Sequence, residues 1–91
     1  MRYEWDEAKR VANLQKHGVD FRDAWMVFEG TTVTIEDKRW GYGEQRLVTL
    51  GLLEGTLVAV VHTERDDVVR IISIRKAARN EEKIYFSTFA H

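Results

Sequence analysis

The sequence predicts an α+β fold: an antiparallel meander sheet with two N-terminal helices and a C-terminal helix packed mainly on one face. Three observations lead there. Apolar residues recur at helical spacing before residue 30 and after residue 76. Between them lie β-branched runs joined by two-residue turns. Helices do not alternate with strands, as a doubly wound parallel fold would require. The 91 residues allow one domain spanning 1–91, since a chain of this size buries only roughly 60–65% of its unfolded surface.

Arg2 to Trp5 reads as a short strand with Tyr3 and Trp5 on one face. Asp6 is a helix N-cap; Ala8, Val11, Ala12 and Gln15 mark an inward stripe with Leu14 beside it, and Gly18 supplies the stop, so the first helix runs from Asp6 to His17. Asp20 caps a second helix that ends at Glu29 before Gly30. Its Phe21, Ala24, Trp25 and Phe28 fall at i, i+3, i+4 and i+7, which predicts that Trp25 and Phe28 are largely buried. Thr31 to Glu36 is a strand and Asp37 to Gly43 a loop. Arg46 to Leu53 and Thr56 to Arg65 are strands joined by Glu54-Gly55, and Asp66-Asp67 leads into Val68 to Ile74. Ala77 to Phe89 closes the chain as a helix with Ala77, Ile84 and Phe86 or Phe89 inward.

Composition narrows the function. No cysteine is present, so disulfides, thiolate metal sites and a Cys nucleophile are excluded. The longest apolar run, Leu57 to Val61, is too short to span a bilayer, and the charged, aromatic N-terminus does not resemble a secretory leader; a cytoplasmic protein without membrane partners is expected. Net charge is −1, yet from Arg70 onward five basic residues stand against two acidic ones. That local excess suits a phosphate-bearing substrate or an acidic protein partner, although a merely solvated helix face has the same signature.

With Asp66-Asp67 as a two-residue turn, Arg65 faces Val68, Thr63 faces Arg70 and His62 faces Ile71. Strict alternation then puts Thr63, Arg65 and Arg70 on one face and His62, Ser73 and Arg75 on the other. Into the last helix, Arg75, Arg79 and Lys83, or Lys76, Arg79 and Lys83, form one basic stripe. Cleaving RNA without a metal requires deprotonating a 2′-hydroxyl, stabilising added charge on phosphorus and protonating the departing oxygen. Guanidinium groups suit the second task. Arg65, Arg70, Arg75 and Arg79 are therefore the candidates; His62 has the right chemistry for proton transfer, and Tyr85 could donate a proton or stack on a base. His62 and Tyr85 are as readily packed core residues. His17, His62 and His91 lie on separate elements without ligand spacing, Glu64, Asp66 and Asp67 are better explained as a turn, and Gly41-Tyr42-Gly43 precedes a strand, so neither a metal, a phosphate-binding glycine loop nor any other cofactor is expected. Direct DNA recognition is disfavoured, because Asp20 to Glu29 is acidic where a recognition helix should be basic.

Two segments carry more than local structure. The opening Glu4-Trp5-Asp6-Glu7-Ala8-Lys9-Arg10, with Asn13-Leu14-Gln15-Lys16-His17-Gly18-Val19-Asp20-Phe21, resembles the N-terminal signature of the BrnT toxins. Arg70-Ile71-Ile72-Ser73-Ile74-Arg75-Lys76-Ala77, followed by Glu81 and Tyr85, resembles their C-terminal one. The resemblance implies a RelE-like fold, endoribonuclease activity in a type II toxin-antitoxin system, and neutralisation by a BrnA-type antitoxin through which alone operator DNA is reached. It places the catalytic arginines at Arg65 and at Arg75 or Arg79. The residues themselves add Arg46, His62, Arg70, Lys76, Lys83 and Tyr85 as substrate-binding candidates. The rival expectation is an inactive interaction module that only binds an antitoxin-like partner.

Overall fold

The structure, a computed structural model, describes residues 1–38 and 45–89. Nine elements follow one another: β1 (Arg2–Trp5), α1 (Glu7–His17), a 3-10 turn (Phe21–Asp23), α2 (Ala24–Glu29), β2 (Val33–Asp37), β3 (Arg46–Leu53), β4 (Thr56–Arg65), β5 (Val68–Lys76) and α3 (Arg79–Phe89). The expected loop from Asp37 to Gly43 lies mostly outside the described residues, as does His91. Asp37 itself belongs to β2.

The sheet has the order β1-β5-β4-β3-β2. Strands β2 to β5 form the expected antiparallel meander, but the sheet is mixed, because β1 pairs in parallel with β5 from Arg2↔Val68 to Trp5↔Ile71. Helices also occupy both faces, which corrects the expectation of one. Phe21, Ala24 and Val27 pack with Val58, Val60, Val69, Ile71 and Ile74 on one face, while Tyr85 packs with Val48, Leu50, Leu57 and Ala59 on the other. On the second face the apolar cover is centred on Tyr85.

Caps hold where the sequence put them. Asp6 accepts from the Lys9 N–H at 3.1 Å, Gly18 takes a left-handed φ of 73°, and Asp20 accepts from the Arg22 N–H at 2.9 Å. The predicted stripe of α1 is wrong: Val11 and Leu14 are exposed, and the face turned to the sheet carries Arg10, Asn13 and His17. Asn13 explains why a polar stripe can pack. Its amide donates to the carbonyls of Ile74 (2.9 Å) and Val19 (3.1 Å) and accepts from the Ile74 N–H at 3.2 Å. Beyond the end of β1 the outer edge of β5 would lack a partner, and this one side chain supplies both halves of a strand hydrogen-bond pair.

Trp25 is likewise a correction. It is 47% exposed, and the buried series is Phe21, Ala24 and Val27, with Phe28 half-buried beside them. The chain enters this segment as a 3-10 turn with three residues per turn, so the inward positions recur every three residues and Trp25 rotates out. Val27 in turn rests on Gly51 of β3, where a Cβ would come within 2.8 Å of the Val27 Cγ1.

Candidate active site

The site is decided by one irregularity. The hairpin register is as expected at Arg65↔Val68, Thr63↔Arg70 and His62↔Ile71, but the next pair is Val61↔Ser73, so Ile72 is an extra residue on β5. Such a bulge resets the alternation. Ser73 and Arg75, expected on the face of His62, instead share the face of Val61, Thr63, Arg65 and Arg70, and Arg75 stands opposite Ala59. Asn13 clamps the strand immediately after the bulge, at Ile74.

The α3 face beyond Tyr85 can be written in rows across the sheet. Arg65, Val68 and Arg2 form the outermost; Thr63, Arg70 and Glu4 form the next, which continuation of the β3–β4 register by one residue extends to Arg46 and Asp37. An open cleft of about 670 Å³ lies here, lined by Glu4, Gln45, Thr63, Arg65 and Arg70 among others. Arg70 Nη1 donates to Glu4 Oε1 at 3.2 Å, with both side chains half exposed. Arg65 is exposed, and its side chain makes no hydrogen bond or ion pair among the described residues. Its guanidinium is held out toward solvent.

Arg75 lies on the same face but not in the same place. Its row is about 20 Å along β4 from that of Arg65, at ~3.3 Å per residue. The two guanidinium groups do not meet on one phosphorus, contrary to a single arginine cluster. Arg75 lines a second recess with Asp37, Asn80 and Glu81. There it grips Glu81 through two contacts of 2.6 and 3.1 Å, and the same carboxylate accepts from the Ala78 N–H at 2.8 Å. Glu81 is buried, so this is half a capping box with its charge matched by an arginine. Sequence reasoning missed that role, though an acid three residues after the cap position signals it. Arg79 and Lys83 are exposed on α3, one turn apart.

Three expected substrate contacts sit elsewhere. His62 is 1% exposed on the α2 face, against the Phe28 ring at 5.0 Å. Its Nε2 lies 2.7 Å from Thr49 Oγ1, which in turn is 2.8 Å from Thr34 Oγ1, and Nδ1 has no partner among the described residues. An unpaired lone pair costs less than an unpaired N–H, so the proton belongs on Nε2. Burial pushes the imidazole down to about 4. Lys76 pairs with Val58 and so faces the α2 side. Tyr85 is buried and donates to the Thr31 carbonyl at 2.9 Å, with Phe86 and Phe89 around its ring. It anchors α3 to the segment before β2.

Among the described residues no group of three or more His, Asp or Glu side chains could hold a metal ion, and no helix is long and apolar enough to cross a membrane. What the face offers is guanidinium groups on a rigid strand pair, open to solvent and graded from free to paired. That defines a small α+β protein equipped to handle a phosphodiester. A family model described as "Ribonuclease toxin, BrnT, of type II toxin-antitoxin system" matches residues 5–81. The chain belongs to this family and is a ribonuclease toxin whose system includes an antitoxin. No match was found among curated proteins.

Proposed function

We propose that the chain cuts RNA on the arginine-lined half of its sheet without a metal ion, and that growth arrest follows until a BrnA-type antitoxin covers that face. The open cleft lined by Thr63, Arg65 and Arg70 carries the reading, and the bulge at Ile72 adds Ser73 and Arg75 to the same side of β4 and β5. Arg65, unpaired at the cleft, stabilises the charge that develops on phosphorus. Arg70 and Arg46 grip the scissile nucleotide from the neighbouring strands, and Arg75, Arg79 and Lys83 carry flanking phosphates toward α3. Fixed guanidinium charge does here what a divalent ion does in other nucleases, which supports cleavage through the 2′-hydroxyl in cytoplasmic RNA. Operator DNA is reached only through the antitoxin.

The test is cleavage of a mixed-sequence RNA by the full chain freed of its antitoxin, in excess chelator. Products should end in a cyclic or 3′-phosphate. Activity that disappears in chelator and returns with magnesium overturns the metal-free mechanism. Arg65→Ala should lower the rate by about 10²–10³-fold, the usual loss for an electrostatic transition-state donor, with an unchanged urea midpoint. Full activity in that variant removes the site from where it is proposed. Arg75→Ala is a poorer probe, because it leaves the buried Glu81 carboxylate without its guanidinium and weakens the fold.

A further inference from the structure

We propose that Glu4 is the general base that takes the proton from the attacking 2′-hydroxyl, an inference that rests on the site described under Proposed function. The parallel docking of β1 fixes its direction. Tyr3 and Trp5 point into the core, which turns Arg2 and Glu4 outward onto the arginine face. Glu4 is the β1 neighbour of Arg70, and Arg70 is the β5 neighbour of Thr63, so Arg65 stands two strands across and two residues along from Glu4, roughly 12 Å away at ~4.8 Å per strand and ~3.3 Å per residue. Both residues line one cleft, and side chains of their length reach a phosphodiester held between them.

The ion pair with Arg70 does not account for Glu4 by itself. Both side chains are about half exposed, at 51% and 50%, and pairs of that kind contribute little to stability. The contact aims the carboxylate instead. The Arg70 Nη1 hydrogen bond is to Oε1, which leaves Oε2 outside that bond, and Glu4 lines the cleft that Thr63 and Arg65 also line. Other carboxylates are worse placed. Glu64 and Asp66 also border the cleft, but Glu64 pairs with Val69 and so its side chain starts from the opposite face, Asp66 is held in the turn at a φ of 56°, and Asp37 lies four strands away, roughly 19 Å at ~4.8 Å per strand.

In the reaction the 2′-oxygen forms a bond to phosphorus as its proton passes to the Glu4 carboxylate. The bond from phosphorus to the 5′-oxygen breaks, and a water molecule protonates that oxygen. The hydroxide left behind recovers the proton from Glu4. The products are a 2′,3′-cyclic phosphate and a 5′-hydroxyl, with Arg65 on the phosphorane throughout.

The experiment compares four full-length variants, freed of antitoxin, on end-labelled mixed-sequence RNA over a pH series, with circular dichroism to confirm folding. Glu4→Gln should lose about 10²–10⁴ in rate, the span of general-base catalysis, and the rise of rate with pH in the unmodified chain should be absent from the residue. Glu4→Asp should restore part of the loss. Arg70→Ala removes the ion pair and a substrate contact but keeps the carboxylate, so its loss should fall mainly on KM with the rise of rate with pH retained, whereas Glu4→Gln loses kcat. A kcat that falls no further in Glu4→Gln than in Arg70→Ala, or an unimpaired Glu4→Gln beside an inactive Arg65→Ala, overturns the assignment to Glu4 and leaves the site intact. A fully active Arg65→Ala overturns the site itself.

Discussion

A histidine sealed between Phe28 and Thr49 is a liability in acid. Folded His62 titrates at about 4 because burial disfavours the imidazolium, whereas the unfolded chain binds that proton near ~6.5. Between these values the unfolded state holds more protons, so stability rises with pH and is lost as pH falls from about 6.5 toward 4, by up to about 3 kcal/mol. Urea midpoints should fall over that window, and His62→Gln should flatten the slope; an unchanged slope would show that other groups carry the acid sensitivity. The residue type alone suggested proton transfer at His62. Its face was legible from the hairpin register, and that placement decides its role. Arg65, Thr63 and Arg70 were legible in the same way. Arg75 was not, because nothing in Ile71-Ile72-Ser73 announces that one residue is inserted, and a single inserted residue reverses every face after it.

At the scale of elements, residues 20–29, expected as one helix, form a 3-10 turn followed by a six-residue α-helix, and the change of winding alters which face is buried. Their apolar spacing fits an α-helix from Phe21, but the first turn is 3-10 and the buried positions follow a period of three. Trp25→Ala should therefore cost under about 1 kcal/mol, as surface changes do, while Phe21→Ala should cost about 3–5 kcal/mol as a large core truncation. Urea denaturation of the two variants distinguishes these faces, and the reverse ranking would restore the α-helical phase. The error in α1 has another cause. Its apolar residues are too few to define a stripe, and Asn13 packs inward because its amide completes the edge of β5. No periodicity measure detects a side chain that substitutes for a strand.

For the whole molecule, the α+β class, the meander and both two-residue turns followed from local pattern, whereas the parallel pairing of β1 did not. Residues 2 and 68 hold no information about each other that alternation can express. The basic residues Arg79 and Lys83 at the rim of the arginine face make a further expectation at this scale. Alanine at both should slow association with the antitoxin and weaken its salt dependence, leaving dissociation little changed, because rim charges act mainly on encounter. An association rate unaffected by both substitutions would place the interface elsewhere, such as wholly on α1. The parallel pair also has a kinetic side. Strand β1 pairs with β5, so residues 2–5 wait for those numbered 68–71 before they have a place to dock. Pairing across so long a separation is slow to nucleate. Glu4 and the arginines of β4 and β5 are thus brought together at the last stage of folding, and a nascent toxin lacks the assembled face until nearly all of its sheet has left the ribosome.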